Sequence, residues 1–446
     1  MAKIKRILIA NRGEIALRAI RTIKEMGKEA VAVYSTADKD ASYLHLADAT
    51  ICIGGAKSSD SYLNIPAIIA AAEISECDAI FPGYGFLSEN QSFVEICQHH
   101  NIKFIGPSVE VMALMSDKSK AKQVMKEAGV PVIPGSDGAI KSADEAKKLA
   151  KEMGFPIILK AAAGGGGRGM RVVENESYIE NAFLAAESEA ITAFGDGTIY
   201  MEKFIENPRH IEVQILADSY ANVVHIGERD CSMQRRHQKL IEESPAIFLD
   251  DKTRDSLFEA AVKAAKYIGY ESAGTLEFLV DKHKNFYFME MNTRLQVEHC
   301  VSEMVSGIDI IEWMIRIAEG EKLFDQSDVC LKGHAIECRI TAEDPINFMP
   351  CPGKIDKWIA PGGKDVRIDS HAHSGYIIPQ HYDSMIGKVI VWGKDRNQAI
   401  KKMRRAMDEF EIDGIKTTID FHRKMMRNPD FIENRFDTKY LETHLY

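Results

Sequence analysis

No Cys-x-x-Cys pair occurs among the eight cysteines of this chain, and their spacing matches no zinc site. Cys97-Gln98-His99-His100 comes nearest to a ligand cluster, and it reads as a helix end passing into a loop. No apolar run approaches the roughly 18 residues of a membrane span. Met1 to Arg6 lead straight into a strand-like segment, without the apolar core of a signal peptide. A reduced, soluble, cytoplasmic protein is expected. A surplus of positive charge is missing too. The net charge of -10 and pI near 5.8 weigh against a nucleic-acid partner, while local basic clusters keep an anionic substrate open. There is no internal repeat, no low-complexity linker and no Gly-Lys-Ser/Thr phosphate loop. The first strand is followed by Asn11-Arg12-Gly13-Glu14 instead of G-x-G-x-x-G, which weighs against a nicotinamide dinucleotide site.

What is present supports a large globular protein. A hydrophobic content of 45% allows a sizeable core without disulfide staples. At about 150 residues per domain, 446 residues suggest about three domains. Arg6–Ala10, Glu29–Tyr34, Asp78–Pro82 and Lys103–Gly106 read as strands, with a helix over Glu14–Met26. This alternation predicts a parallel sheet with helices on its faces. The polar, glycine-rich loop Gly83–Asn90 follows a strand, where such folds place functional loops. A helix over Asp117–Ala128 carries Lys118 in its first turn, against the helix dipole; a bound anion or a chance surface position both explain it. Helices are further expected over Ala143–Met153, Ser177–Ala190 with Ser177 as N-cap, and Arg396–Phe410. Pro156–Lys160, Arg171–Val173 and Thr198–Ile205 are expected strands.

The chemistry centres on Glu277 and Glu290. They lie in aromatic and apolar runs separated by polar Asp281–Asn285. A loop over Lys282–Asn285 pairs Asp281 with Phe286, and counting back sets Glu277 opposite Glu290. Opposed carboxylates on one sheet face repel, and a cation between them removes the penalty. Asn292 points to the same face. Two carboxylates and an amide oxygen suit Mg²⁺ or Mn²⁺; a solvated hairpin with incidental acids is the plainer alternative. The glycine run Gly164–Gly167, with Gly169 beyond Arg168, lies between two strands, and its backbone N–H groups are free to approach a polyphosphate. Lys160 just before it adds charge. Together with the acidic pair these features read as an ATP site with a divalent metal. Met201–Ile205 reads as a nucleotide hinge or an ordinary strand. His210, Glu212 and Gln214 alternate with apolar residues, which sets His210 on a polar face. Cys231–Lys239 is a basic cluster in an acidic chain. Arg294 and Glu298 emerge just after the acidic strand, where arginine suits a planar oxyanion such as bicarbonate and the carboxylate suits a general base. Arg339, on an apolar strand, is a structural ion pair or a functional group.

With these motifs in hand, the chain resembles the biotin carboxylases, the ATP-grasp subunits of bacterial acetyl-CoA carboxylase. The resemblance runs from Ile9 to about Tyr440. It is carried by Pro82–Asn90, Lys160 with the glycine loop, Met201–Lys203, Asn207–His210, Glu228–Lys239, Glu290–His299 and Tyr382–Gly387. One departure is Ala163, where many relatives carry a further glycine. The resemblance implies a mixed α/β and α+β fold. A Rossmann-like pre-ATP-grasp domain takes 1–113, a mobile ATP-grasp lid 132–204, the metal and nucleotide half 205–334, and a C-terminal mixed α+β domain 335–446. It implies ATP on Lys118, Lys160, Gly166, Gly167, Glu202, Lys203, Ile205, His210 and His237. It implies metal on Glu277, Glu290 and Asn292, and bicarbonate at Lys239, Arg294, Gln296 and Val297, with Glu298 as base. Arg339 would meet the biotin ureido oxygen, and Tyr84 would line that pocket. The chain carries no Ala/Val-Met-Lys-Met biotinylation sequence, so a separate biotin carboxyl carrier protein and separate carboxyltransferase subunits are expected partners. The resemblance also implies a homodimer. The final acceptor, acetyl-CoA, another acyl-CoA or pyruvate, stays open. Another ATP-grasp ligase or an inactive nucleotide-binding regulator are the competing readings.

Overall fold

The computed structural model describes residues 3–444 except 137, 162–169 and 195, and leaves the side chains of 193 and 194 aside. The chain divides into a larger unit, Met1–Val130 with Arg209–Phe278 and Glu290–Tyr446, and a smaller one, Pro131–Pro208 with Leu279–Met289.

In the larger unit, five parallel strands lie in the order Ala49–Gly54, Glu29–Ser35, Arg6–Ile9, Ala79–Phe81, Lys103–Phe104. Ile7, Leu8, Ile9, Val31 and Val33 are buried in a run, as strands covered on both faces require. Only Ala49–Gly54 escapes the sequence reading. It is an edge strand that leaves Thr50 and Cys52 exposed, so it lacks the continuous apolar run of its neighbours. Helix Gly13–Glu25 buries Ile15, Ala16, Ala19, Ile20 and Ile23, one face of a 3.6-residue repeat. The strand order reverses between Arg6–Ile9 and Ala79–Phe81, the position where such sheets form a functional crevice. Both flanking loops meet there. Asn11 Nδ2 donates to the carbonyls of Pro82 (2.7 Å) and Tyr84 (2.8 Å). Gly83 has φ +64, and a Cβ on it would meet Asn11 and Ile15, so the turn needs glycine.

The second sheet has eight strands, in the order Phe286–Asn292, Ser272–Val280, Arg209–Ala217, Val223–Arg235, Gln238–Ser244, His334–Thr341, Met385–Gly393, Val366–Ser370. Arg236 and His237, at φ +48 and +66, make the two-residue turn between Val223–Arg235 and Gln238–Ser244. That turn sets Lys239 directly opposite Gln234. Helix Arg396–Glu409 packs Met403, Ala406 and Met407 into a core with Ile336, Ile340, Val389 and Val391.

The smaller unit is an antiparallel sheet, Met170–Val173, Ile157–Ala161, Ile199–Lys203, whose core includes Ala146 and Ala150 of helix Ala143–Met153 and Phe183 and Ala186 of helix Ile179–Phe194. Two sequence expectations fail here. Ser177 is not the cap: a 3₁₀ turn, Glu176–Tyr178, precedes the helix, and the Asn175 side chain accepts from Ser177 N–H. The acidic hairpin also turns one residue early. Asp281 N–H bonds the Asn285 carbonyl (2.9 Å) and Lys284 N–H the Asp281 carbonyl (3.1 Å), with Lys284 at φ +69. A left-handed residue closing a type I turn is the common three-residue loop, which the count of four overlooked.

Candidate active site

The site grows from the inner face of the antiparallel sheet in the larger unit. On Arg209–Ala217, His210, Glu212 and Gln214 share one face, as their alternation requires, but the whole strand is buried. The polar face therefore points into protein, where every group needs a partner. Arg229, fully buried, donates to Glu212 (2.5 Å), Gln214 (2.8 Å), Ser302 (2.9 Å), Thr275 (3.2 Å) and Gln296 (2.8 Å). Such a satisfied guanidinium is rigid. It shares one carboxylate, Glu212, with Lys239.

Lys239 Nζ donates to three carboxylates, Glu212 (2.6 Å), Glu277 (2.8 Å) and Glu298 (2.6 Å). Glu277 Oε1 also accepts from Asn292 Nδ2 (2.9 Å) and Gln296 Nε2 (2.7 Å), and His210 Nε2 lies 3.0 Å from its other oxygen. Burial opposes the charge on Glu277, but Lys239 and His210 outweigh it and lower its pKa. Burial likewise opposes the charge on Glu298, yet Lys239, Arg339 and Arg229 hold it well below the usual carboxylate range. Arg339 reaches Glu298 Oε2 through Nη2 (3.0 Å) and Glu242 Oε1 through Nε (2.5 Å). Burial pushes Glu242 up to about 7 against the pull of Arg339. Glu337, opposite Glu242 in the strand register, is buried, neither oxygen is hydrogen-bonded among the described residues, and burial raises its pKa well above normal.

Glu290 has only a loose ion pair. Its side chain is 40% exposed, Lys118 Nζ lies 3.9 Å away, and burial followed by the Glu277 charge raises its pKa. The expected repulsion between Glu277 and Glu290 is thus present, although the loop count used to infer it was wrong. The donor set fits a hard divalent cation: an under-compensated carboxylate, a second carboxylate and a nearby amide. As placed, Asn292 Oδ1 accepts from Arg294 Nη2 (2.9 Å), and its NH₂ faces Glu277.

Other expected residues are placed as follows. Arg294 Nε donates to Glu89 (2.8 Å), on the loop after Ala79–Phe81. The Gln296 amide is turned to Glu277 and Arg229, and the Val297 carbonyl accepts from Lys388 Nζ (2.8 Å). The Tyr84 hydroxyl donates to Glu14. His237 is exposed at its hairpin turn. Lys118 opens helix Lys118–Glu127 behind Asp117, whose carboxylate caps Ser119 and Lys120 and so already offsets the dipole. Within the smaller unit, Lys160 pairs with Glu202, and Lys203 Nζ donates to the carbonyls of Gly154 (3.1 Å) and Phe155 (2.7 Å). Ile205 is half-buried. Gly166, Gly167 and Ala163 lie outside the described residues. Sequence reasoning assigned nothing to Arg229, Glu242, Glu89 or Lys388. A charged residue inside an otherwise buried strand was the available signal for Arg229, Glu242 and Lys388, and Glu89 on its polar loop gave none.

Three family descriptions match consecutive stretches of the chain. They are the biotin carboxylase N-terminal domain over residues 3–112, the carbamoyl-phosphate synthase L chain ATP binding domain over 117–326, and the biotin carboxylase C-terminal domain over 337–443. The chain belongs to the biotin carboxylase family. It is 56% identical over 442 residues to the biotin carboxylase of Nostoc sp. (strain PCC 7120), covering 99% of both. The crystal structure of a biotin carboxylase–beta-gamma-ATP complex from Campylobacter jejuni is 73% identical, with a TM-score of 0.92 over 99% of each chain. The biotin carboxylase domain dimer of Hydrogenobacter thermophilus 2-oxoglutarate carboxylase, solved with MgADP, ADP and bicarbonate, is 49% identical, with a TM-score of 0.90 over 100% of this chain and 98% of that one. The Rossmann-like, ATP-grasp and C-terminal architecture expected of a biotin carboxylase is the architecture found. Among the described residues, no helix is long and apolar enough to cross a membrane.

Proposed function

We propose that this enzyme uses ATP and bicarbonate to carboxylate biotin on a separate carrier protein, as the first half-reaction of an acetyl-CoA carboxylase in fatty-acid synthesis. The observation that carries the reading is the chain Lys239–Glu298–Arg339, in which one carboxylate joins a lysine to an arginine; we assign the lysine to bicarbonate and the arginine to biotin. The cations around Glu298 keep it ionised at neutral pH, the form a general base needs. Bicarbonate binds against Lys239 and Arg294, with Gln296 and Val297 alongside, and gives its proton to Glu298. The bicarbonate oxygen then attacks the γ-phosphorus of ATP and expels ADP, which forms carboxyphosphate. Carboxyphosphate breaks to CO₂ and phosphate, and the phosphate takes the N1 proton of biotin. Arg339 stabilises the ureido oxyanion, and N1 captures CO₂. Glu277, Glu290 and Asn292 would hold Mg²⁺ or Mn²⁺, which supplies charge neutralisation at the phosphates. ATP is assigned to the lysines, glycines, Glu202, Ile205 and histidines named above, and the domains to 1–113, 132–204, 205–334 and 335–446. The smaller compact unit, Pro131–Pro208 with Leu279–Met289, supports a lid over 132–204.

Bicarbonate-dependent ADP release stimulated by free biotin tests the reading; ADP release that instead requires an amine would favour another ATP-grasp ligase. A second reading, a subunit of a different acyl-CoA or 2-oxo-acid carboxylase, is favoured by the 2-oxoglutarate carboxylase relative. Native co-purification decides between them: acetyl-CoA carboxyltransferase subunits support the first, and another transferase the second. The dimeric relative supports a homodimer, which sedimentation tests.

A further inference from the structure

Lys388 sits on Met385–Gly393 with no exposure, and the reaction above gives it no task. Its ammonium has three close partners: the Val297 carbonyl at 2.8 Å, Cys300 Sγ at 3.2 Å and Glu14 Oε1 at 3.2 Å. The first two are hydrogen bonds and the third is an ion pair. The partners come from three places: the loop after the acidic strand, helix His299–Ser306, and the start of helix Gly13–Glu25. Glu14 in turn accepts the Tyr84 hydroxyl. Directly across the ladder from Lys388 is Arg339. A buried charge costs several kcal/mol unless its partners are well placed. An apolar residue would fill this position without that cost, so the charge needs a reason.

The reason lies in what the three contacts hold. The Val297 carbonyl belongs to the peptide that leads into Glu298, whose carboxylate lies between Lys239 and Arg339. Through Glu14, the same ammonium holds Tyr84 on the Gly83 turn. We propose that Lys388 is a positioning residue that locks the bicarbonate loop and the biotin-pocket tyrosine into one geometry. The proposal deepens the biotin carboxylase reading and rests on it.

The test uses Lys388→Met, and Glu14→Gln combined with Lys388→Met, which removes both buried charges together. Initial rates of ADP and carboxybiotin formation are measured against bicarbonate, free biotin and ATP in turn. KM for bicarbonate and for biotin should each rise about tenfold or more, since a displacement of about 1 Å costs up to ~10²-fold. KM for ATP should stay within about twofold of the parent. A merely structural lysine would lower the melting temperature and leave KM in the folded protein unchanged. Unchanged KM for bicarbonate and biotin in either folded variant overturns the proposal. Failure of both variants to fold also overturns it, because Lys388 would then be a folding residue. A parent enzyme without bicarbonate-dependent ADP release would overturn the biotin carboxylase reading instead, so the two failures are distinct.

Discussion

Arg339→Gln should uncouple ATP cleavage from carboxylation. Arg339 bonds two carboxylates, Glu242 and Glu298. Glu298 keeps Lys239 at 2.6 Å when the arginine is gone, so bicarbonate activation survives. Glu242 already titrates at about 7 with the arginine present, and without it the pKa rises further. At neutral pH it takes a proton and is not left as a bare buried charge. The loss of stability is therefore roughly 1–3 kcal/mol, the scale of a lost charge-assisted hydrogen bond, and not the ~3–5 kcal/mol of a broken buried pair. Carboxylation should fall by about 10²–10³, as it does when an oxyanion donor is removed. ADP formation should remain within about tenfold of the parent, with carboxyphosphate lost to water. Measuring ADP and carboxybiotin in the same samples gives the ratio directly. An equal loss of both products would place Arg339 on the bicarbonate or phosphate side and refute the assignment.

Glu290→Gln should abolish most turnover and the Mg²⁺-dependent thermal shift, while the metal-free melting temperature stays level or rises because the repulsion from Glu277 is removed; normal Mg²⁺-ATP turnover would sink the metal assignment. Glu298→Gln should cut ADP and carboxybiotin formation alike by about 10²–10⁴, the range for a general base, and survival of either would count against it. Arg396 and His334 overcome burial to lower Glu243 from 4.5 to about 2. A carboxyl lowered in the folded state stabilises above its unfolded pKa, and the contribution is lost as pH falls from about 4.5 to 2. Denaturant titration of Glu243→Gln should show a deficit of roughly 3 kcal/mol at pH 7 that shrinks below pH 4. Glu337 has the opposite sign: its raised pKa makes the parent lose stability as pH climbs above 4.5. Glu337→Gln should therefore gain on the parent with rising pH, and a constant difference would mean that Glu337 titrates normally.

Much of this was legible because strands and helices announce themselves by period. The parallel sheet, the helix over Gly13–Glu25 and the shared face of His210, Glu212 and Gln214 follow from spacing alone. The acidic pair stood out by its two strand-like runs, and the glycine run lies outside the described residues. Two kinds of information were not legible. A turn one residue shorter than assumed shifts a register, and Lys284 carries no glycine-like signal of its left-handed backbone. Partner choice across distant strands was hidden as well. Nothing local says that Arg229 gathers five acceptors, or that Glu242 and Glu337 face each other. The basic run Cys231–Lys239 shows the same limit. Its members part company at the Arg236–His237 turn, with Arg235 lying over the Phe348 ring and Lys239 among carboxylates.

The smaller unit is assembled from two stretches of chain, Pro131–Pro208 and Leu279–Met289. Phe288 N–H bonds the Pro131 carbonyl at 2.7 Å, and Val132 bridges Phe288. A graft between relatives that exchanges 131–208 alone would therefore leave a mismatched seam along Pro131 and Val132. The transferable module is discontinuous, and recombination breakpoints chosen by sequence position would cut it. Chimeras that carry the hairpin tip Leu279–Met289 along with the longer segment keep that seam native.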